Sequence, residues 1–505
     1  MWTLRVPRGD VCILPTTLSR DRFVPPVVHL LAIFKKLLSC ILIGLPCLAV
    51  ADVVPSALFR DHAVLQRDRP LPVWGTAQPG EKIHVTLGET KGSTTADNYG
   101  RWVVTLPAQP VSTHAITLSI EGSDTTLVYR DILLGDVWLC GGQSNMQMAV
   151  KNSDGDPGEI NPADFPDLRH FRVSPNFPTQ PAAAASGQWT VATRDSTGDF
   201  SAVAFFFARD VHLKTGIPIG LISVSYGNTP IATWRSASAV AEEPAAQQWW
   251  KLQEKSPTPP RPHRRPSAGY QGMIAPLLPL SVRGVLWYQG ESDATEATTL
   301  APAYGRQFTA LIQEWRRDLD QSDLPFFWVQ LAGYGQAGNR AWVDVRAYQD
   351  SALQLPLTGQ ATAIDLGDPT DIHPKRKREV GERLARLALN RVYAQPTSDS
   401  GPILQTVTRQ GDALELHFSS AEGGLDLQDN AEAAFELAGA DGSFIPATEV
   451  RPIGDPKSSR SLRVRAHSLL HPCAVRYAWH AFPHTPLYNR AGLPATPFTR
   501  ELSKR

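Results

Sequence analysis

The sequence predicts an α/β protein in which a central domain with a parallel sheet, residues 131–395, lies between two β-rich domains. Three continuous apolar runs predict the parallel sheet, at residues 137–140, 220–224 and 284–288. Such runs are typical of strands that are buried on both faces, as parallel strands usually are. Segments with helical periodicity lie between the runs, and this alternation indicates the α/β class.

Two segments of the central domain have the period of an α-helix. Over residues 304–319 apolar side chains recur at intervals of three and four residues, at Phe308, Leu311, Ile312 and Trp315. These side chains would line one face of a helix with 3.6 residues per turn. A second helix is predicted over residues 202–213.

The two flanking regions show the shorter period of β-strands. Apolar residues alternate with polar ones at Ile83, Val85 and Leu87, and again at Leu414, Leu416 and Phe418. Glycine and proline residues interrupt these segments at short intervals, as turns between strands require. We therefore expect β-sandwich-like domains over residues 52–130 and 396–505.

The first 51 residues predict an export leader. Lys35 and Lys36 precede the apolar run 37–50, and Ala-Val-Ala at 49–51 forms a small-residue cleavage pattern. We expect a periplasmic or secreted protein without stable membrane insertion after cleavage. Residues 1–34 precede this signal and are excluded from the fold interpretation, with a mis-annotated start as one explanation for them. A lipid anchor at Cys40 and a buried N-terminal helix are the alternatives.

The composition excludes several classes of function. With 42% hydrophobic and 19% charged residues, the chain is typical of globular proteins with a large core. Its formal net charge of zero gives no overall attraction to nucleic acid, so we expect no nucleic-acid partner. Without the leader only Cys140 and Cys473 remain, and we expect Cys140 to be a buried thiol. No HExxH or paired CxxC pattern is present, so we expect neither a metal nor another cofactor.

A serine follows the first apolar run at the point where the strand should end. The residues are Gly141-Gly142-Gln143-Ser144-Asn145-Met146. Glycines allow a sharp turn, which can present the hydroxyl of Ser144 at the edge of the sheet. Met146 replaces the last glycine of a G-x-S-x-G elbow, which disfavours the α/β-hydrolase fold. Without a partner for its hydroxyl, such a serine is an ordinary turn residue.

A histidine with a nearby carboxylate occurs at Asp371-Ile372-His373-Pro374. Proline suits the first position of a helix, so we expect His373 at a helix N-terminus. A histidine that takes a proton from serine needs a partner that fixes its tautomer, and Asp371 is a candidate. The alternative is a capping aspartate beside an exposed histidine.

Polar residues also follow the other two apolar runs. Gln289, Gly290 and Glu291 come directly after the third run, and Gly227 follows the second. The carboxyl ends of parallel strands meet at one edge of the sheet, where ligands bind. We therefore expect these residues near Ser144, as donors for an oxyanion hole or as hydrogen-bonded turns.

Several ordered motifs together resemble the sialate O-acetylesterase family, a branch of the SGNH hydrolases. Residues 135–140 leading into Gly-Gln-Ser-Asn-Met resemble its nucleophile block. Trp-Tyr-Gln-Gly-Glu-Ser at 287–292 resembles its third block, and Asp-Ile-His-Pro at 371–374 its last. The resemblance extends over about residues 55–500. It implies an SGNH-hydrolase, flavodoxin-like domain of three layers.

The resemblance also implies roles for individual residues. Ser144 would be the nucleophile and His373 the general base, with Asp371 as the orienting acid. Many SGNH hydrolases have aspartate where this chain has Thr370, so Asp368 or a backbone carbonyl are alternatives for the acid.

For the oxyanion hole, the resemblance implies the backbone N–H groups of Ser144 and Gly227. Family members often have asparagine where this chain has Asp293. An ionised carboxylate only accepts hydrogen bonds, so we expect the Gln289 side chain as the third donor.

The resemblance implies an esterase that hydrolyses O-acetyl groups of carbohydrates, with acetylated sialic acid as the first candidate substrate. Its partner would be an acetylated sugar or oligosaccharide. Acetylated hemicellulose, xylan or xyloglucan, is the alternative substrate class. A carbohydrate-binding protein without catalysis is the alternative of a different class. The proline-rich, basic stretch 257–266 is predicted to be a solvated surface loop.

Overall fold

The structure is a computed structural model that describes residues 53–154, 164–335 and 339–502. The predicted leader, including Cys40, lies outside the described residues. The described residues belong to one compact unit, Asp52–Arg505. The predicted domain boundaries at 130/131 and 395/396 stay predictions.

The N-terminal part consists of strands with alternating side chains. In β4 the predicted positions Ile83, Val85 and Leu87 are buried, whereas Lys82 and His84 are exposed. The strands are β1 (Val54–Pro55), β2 (Val64–Gln66), β3 (Leu71–Thr76), β4 (Lys82–Leu87), β5 (Thr90–Thr95), β6 (Arg101–Leu106), β7 (Ser112–Glu121) and β8 (Thr126–Gly142).

The long strand β8 joins the N-terminal strands to the central sheet. Its first half pairs antiparallel with β7. Its second half pairs parallel with the strand Ile219–Ser225 and is, in chain order, the first strand of the central sheet. It therefore runs without interruption across the predicted boundary at 130/131. Apolar side chains of both regions form one continuous core.

The central sheet contains the strands predicted from the three apolar runs. Besides β8, the sheet contains β9 (Phe165–Val173), β10 (Gly187–Ala192), β11 (Ile219–Ser225), β12 (Gly284–Tyr288), β13 (Phe326–Gln330) and β14 (Thr358–Thr362). The three predicted strands are the second half of β8, β11 and β12. They lie in the order β10-β9-β11-β8-β12-β13-β14, and all neighbours are parallel except β10 and β9. Cys140 lies in β8 as a buried thiol, as predicted, and burial raises its pKa.

Helices pack on both faces of this sheet and form the outer layers. They are α1 (Ser144–Gln147), α2 (Ala202–Thr215), α3 (Ala237–Ala241), α4 (Pro244–Glu254), α5 (Glu291–Ala294), α6 (Tyr304–Asp318), α7 (Arg340–Gln349) and α8 (Lys377–Arg391). On one face Trp138 packs against Phe207 of α2, with ring centroids 4.8 Å apart. On the other, Trp287 packs against Trp315 of α6 at 5.6 Å.

A close contact between α2 and α8 fixes the element that follows the histidine loop. A Cβ atom on Gly381 of α8 would lie 2.7 Å from the Cβ of Phe206 and 2.9 Å from the carbonyl oxygen of Val203. Only glycine allows the helices to approach so closely. The position of α8 in turn places residues 371–376, which lead into it.

The C-terminal part has a hydrophobic core of its own, which includes Leu416 and Val475 from two different sheets. One sheet has the order β15-β16-β21-β20 and the other β19-β18-β22-β24. The strands are β15 (Ile403–Gln410), β16 (Ala413–Ser419), β17 (Leu425–Leu427), β18 (Phe435–Ala438), β19 (Phe444–Pro446), β20 (Glu449–Pro452), β21 (Ser461–Arg465), β22 (Ala474–Tyr477), β23 (Leu487–Asn489) and β24 (Phe498–Glu501). Buried Arg346 links this part to the central sheet through the carbonyls of His480 and Ala481.

Candidate active site

The nucleophile candidate lies where β8 turns into α1. Gly142 has a φ of +135°, and a Cβ there would lie 2.1 Å from the carbonyl oxygen of Tyr288 in the neighbouring strand. Glycine is therefore required at this position. Two residues later Ser144 begins α1, so its hydroxyl is presented at the carboxyl edge of the sheet.

The structure brings Ser144 and His373 together. The Nε2 atom of His373 lies 2.8 Å from the Oγ atom of Ser144, a hydrogen-bonding distance between residues 229 positions apart. Both residues line an open cleft of about 510 Å³. This contact is the geometry that a serine nucleophile and its general base require.

His373 does not begin a helix, contrary to the prediction from Pro374. The helix α8 begins at Lys377, and residues 372–376 form a bent loop. Other partners engage the carbonyls of the loop: that of Pro374 accepts a hydrogen bond from the Nζ atom of Lys377 at 2.6 Å, and that of Lys375 accepts the backbone N–H of Asp154 at 2.9 Å. These contacts stabilise the bent loop instead of a further helical turn.

The predicted acid Asp371 lies near His373 but does not hydrogen-bond to its ring. Its Oδ1 atom accepts the backbone N–H of His373 at 2.8 Å and stands 3.8 Å from the Nδ1 atom. The alternative acid, Asp368, accepts the N–H groups of Thr370 and Asp371 and thus caps the turn before the histidine. Asp371 is consequently a nearby charge rather than a hydrogen-bonded partner of the imidazole.

The surroundings of His373 favour its neutral form. Burial lowers its pKa most, and the cations Lys377 and Lys375 lower it further, whereas the charge of Asp371 raises it. The net direction is a pKa below the ordinary value of histidine. A neutral imidazole is the form that can accept a proton.

Gly227 lies at the site, as expected, but its N–H group is engaged. A Cβ atom on Gly227 would be 3.4 Å from the Cβ of Ser144. Its N–H donates to the Oε1 atom of Gln147 at 3.0 Å. This donor is therefore free for an oxyanion only when the Gln147 side chain moves away.

The prediction that Gln289 supplies the third oxyanion donor is wrong. Its side chain is 0% exposed, and its Nε2 atom donates to the Oδ2 atom of Asp293 at 2.6 Å and to the carbonyl of Thr229 at 3.1 Å. Both N–H bonds of the amide are thereby used. Burial raises the pKa of Asp293 to about 7, and its carboxyl group orients Gln289 instead of facing the cleft.

A second glutamine, Gln143, lies directly before the serine. It lines the cleft, and its Oε1 atom accepts the N–H of Ser292 at 3.1 Å, with the Nε2 atom of Gln289 at 3.4 Å. Because the backbone N–H of Ser292 can only donate, the amide oxygen must face it, and the amino group points the other way. From the sequence, Gln143 was predicted only as part of the glycine turn.

A buried polar cluster, which the sequence did not predict, lies behind the pair. The amide of Asn145 accepts a hydrogen bond from Lys377 and donates to Glu291 and to the carbonyl of Ile372. All three side chains of the cluster are at most 2% exposed. The lysine lies in the basic run 375–378, which resembles a solvated surface segment, so its sequence context gave no signal.

The proline-rich stretch 257–266, predicted to be a solvated surface loop, also borders the cleft. Arg261 and His263 line the cleft, and the ring of His263 packs against Tyr226 with centroids 5.0 Å apart. Asn228, in the left-handed region with φ +59°, accepts a hydrogen bond from Arg264 at 2.8 Å. This stretch therefore forms one wall of the cleft.

Neither a metal-binding cluster nor a helix able to cross a membrane occurs among the described residues. Within 53–154, 164–335 and 339–502, no cluster of three or more histidine, cysteine or acidic side chains is placed to hold a metal ion. Over the same ranges no helix is both long and apolar enough to cross a bilayer.

Comparison with known proteins identifies the family. Residues 134–390 match the model of the family described as "Carbohydrate esterase, sialic acid-specific acetylesterase". A carbohydrate acetylesterase from Xanthomonas citri has a similar crystal structure, with 36% identity and a TM-score of 0.80 over 89% of this chain and 99% of that one.

Two mammalian relatives, both named sialate O-acetylesterase, are similar to this chain over most of its length. The sialate O-acetylesterases of Homo sapiens and Pongo abelii are each 29% identical to this chain, over 90% of its length and 95% of theirs. The resemblance found in the sequence is thereby confirmed. The chain belongs to the carbohydrate esterase family of sialic acid-specific acetylesterases, and it is a carboxylic ester hydrolase.

Proposed function

We propose that this protein removes O-acetyl groups from sugars by a serine mechanism, with Ser144 as the nucleophile and His373 as the general base. The observation that supports this most directly is the 2.8 Å contact between Oγ and Nε2 at the edge of an open cleft. A carbohydrate-binding protein without catalysis would not need this contact.

We propose further that the central domain has the SGNH-hydrolase, flavodoxin-like fold. The order of five of its parallel strands supports this. With β9 left aside, β8, β11, β12, β13 and β14 are the first to fifth strands along the chain, and they lie in the order 2-1-3-4-5. This is the flavodoxin-like order, whose ligands bind at the carboxyl edge where the order reverses.

In the first half-reaction the Oγ atom of Ser144 attacks the acetyl carbonyl carbon, and its proton passes to Nε2 of His373. The tetrahedral intermediate then loses the sugar oxygen, which takes the proton from Nε2. In the second half-reaction water gives a proton to Nε2 and attacks the acetyl-enzyme. Release of Ser144, which regains the proton, yields acetate.

Three donors would stabilise the oxyanion. The first is the N–H of Ser144, which as the first residue of a helix has no partner within that helix. The second is the N–H of Gly227 once Gln147 withdraws. The third is the Nε2 group of Gln143, in place of Gln289.

Asp371 would act on His373 through its charge. At 3.8 Å its carboxylate stabilises the imidazolium formed during the reaction without a direct hydrogen bond to Nδ1. We expect its contribution to be smaller than that of a hydrogen-bonded triad acid.

The substrate we propose is an O-acetylated sialic acid, as the family description and the mammalian relatives support. Acetate release should be measured on O-acetylated sialic acid, acetylated xylo-oligosaccharides and acetylated xyloglucan fragments, with Ser144→Ala as the control. We expect the highest kcat/KM on sialic acid and no release by the variant.

Each other outcome has a definite meaning. A higher kcat/KM on the hemicellulose fragments would replace the substrate and leave the serine mechanism in place. Sugar binding by the wild type without acetate release would favour the non-catalytic alternative.

We also propose that the protein is exported to the periplasm or secreted. The basic, apolar and Ala-Val-Ala segments of residues 35–51 support this. Mass spectrometry of the mature N-terminus after cell fractionation tests it. An N-terminus at Asp52 in the exported fraction is expected, and an intact leader in the cytoplasmic fraction would contradict export.

A further inference from the structure

Lys377 is a buried lysine that the reaction itself does not use. Its side chain is 0% exposed at the first turn of α8, and burial lowers its pKa to about 7. The Nζ atom donates to the Oδ1 atom of Asn145 at 2.7 Å and to the carbonyl of Pro374 at 2.6 Å. Even a neutral amine keeps two N–H bonds, so both contacts survive deprotonation.

The amide of Asn145 has only one compatible orientation. Its oxygen faces the amine of Lys377, and its amino group faces the carboxyl group of Glu291 and the carbonyl of Ile372, the latter at 3.0 Å. A flipped amide would place donor against donor and acceptor against acceptor. Lys377 and the carbonyl of Ile372, together with Glu291, therefore set the orientation in which Asn145 meets the histidine loop.

The hydrogen bonds of this cluster end on both sides of the general base. Asn145 holds the carbonyl before His373, and Lys377 holds the carbonyl after it. Asn145 is also the direct neighbour of Ser144. The cluster thus joins the backbone of the nucleophile to the backbone of the base, two segments 229 positions apart in the chain.

The imidazole ring itself has weak support. His373 lies in a loop, and Asp371 is too far from Nδ1 to hydrogen-bond. The alignment of Nε2 with the serine hydroxyl therefore depends on the backbone that bears the ring.

We propose that Lys377 is a positioning residue which, through Asn145 and the carbonyl of Pro374, holds His373 in line with Ser144. The proposal rests on the serine mechanism above and adds to it. Lys377 does not touch the reacting atoms, so it acts only through the loop that it holds.

Charge must be separated from positioning, because the ammonium also acts on the histidine at a distance. The charged groups around His373 are Asp371 and Lys375 on its own loop, Lys377 at the start of α8, and Glu291 after β12. Lys375 provides the matched control, because it is exposed and has the same charge. Removal of either lysine should raise the pKa of His373 and move the acid limb of the kcat/KM profile to higher pH.

The test compares the rates at which the Lys377→Met and Lys375→Met variants hydrolyse p-nitrophenyl acetate. The number of reactive active sites in each sample is titrated to completion, and kcat is expressed per titrated site. For Lys377→Met we expect kcat to fall about 10²-fold with KM within about twofold, because misalignment of about 1 Å has this cost in the transition state. For Lys375→Met we expect only the shift of the acid limb. A purely structural lysine would reduce the number of titrated sites and leave kcat per site unchanged.

Asn145→Ala provides a second, independent test and replaces the first if Lys377→Met does not fold. We expect a similar loss of kcat per site. Since both residues act through one cluster, the double variant should lose little more than the worse single variant. A kcat per site within about threefold of wild type in the folded variants, or losses that multiply, would overturn the proposal. Activity retained by Ser144→Ala would instead refute the serine mechanism itself.

Discussion

Replacement of Gln143 by alanine separates the two glutamines that could serve as oxyanion donors. Gln143 lines the cleft and is 3% exposed, and its Oε1 atom accepts the N–H of Ser292 at 3.1 Å, so we expect its Nε2 group to point toward the cleft. The corresponding group of Gln289 is buried and bound to Asp293 and Thr229. The variant should therefore lose stabilisation of the transition state, whereas Gln289→Ala should lose mainly folding stability.

The expected size of the effect follows from the role of the donor. Removal of one oxyanion donor typically costs about 10²–10³ in kcat, or about 2.7–4 kcal/mol. The charge on the oxygen develops only in the transition state, so KM should change little. Gln143→Ala also leaves the N–H of Ser292 without its acceptor, which should lower the free energy of unfolding by about 1–3 kcal/mol.

The assay is steady-state hydrolysis of p-nitrophenyl acetate at a temperature where all variants are folded, with thermal unfolding measured in parallel. Gln143→Glu is the matched variant, because it keeps an acceptor for Ser292 and places a negative charge beside the oxyanion. It should lose at least as much activity as the alanine variant. If Gln143→Ala is folded and keeps kcat within about fivefold of wild type, the assignment of this donor is wrong.

Three further outcomes follow from the same geometry. Asp371→Asn should lower kcat/KM about tenfold, whereas loss of a hydrogen-bonded triad acid costs about 10⁴-fold. The acid limb of the kcat/KM profile of this variant should move to lower pH, because the charge that raises the pKa of His373 is gone. A loss of about 10³-fold in kcat/KM would contradict this. Gln147→Ala should keep kcat or raise it, because the N–H of Gly227 is then free; a tenfold loss would show that Gln147 serves the reaction.

Burial raises the pKa of Asp293 from 3.8 to about 7 in the folded protein. The protonated carboxyl group therefore stabilises the fold fully below about pH 4, and this stabilisation is lost as the pH rises through about 7. The unfolding temperature of Asp293→Asn relative to wild type should therefore increase between about pH 4 and about pH 8, and a constant difference would contradict it.

The sequence predicted the strands and the reacting pair for definite physical reasons. Strands buried on both faces need continuous apolar runs, and these marked β8, β11 and β12. Because parallel strands end at one edge, the serine after β8 and the glycine after β11 were expected together. Pairing with His373 came from the resemblance of ordered motifs, since no periodicity links residues that far apart.

The errors concern side-chain direction and burial, which local patterns do not determine. Gln143 and Gln289 both occur at strand ends, but the chain bends at Gly290, with φ +144°, and Gln289 turns into the interior. Lys377 lies in a basic run that is typical of solvent-exposed segments, yet it is buried against the ring of Tyr288 and hydrogen-bonded to Asn145. Both outcomes depend on contacts with distant segments.

The central claim is that Ser144 forms an acetyl-enzyme with the help of His373. The most direct measurement is mass spectrometry of the enzyme quenched in acid during turnover of an activated acetyl ester. One acetyl group on the peptide that contains Ser144 is expected, absent from Ser144→Ala and formed far more slowly in His373→Ala. Acetate release with no acetylated intermediate at Ser144, or with the label on another residue, would contradict the account.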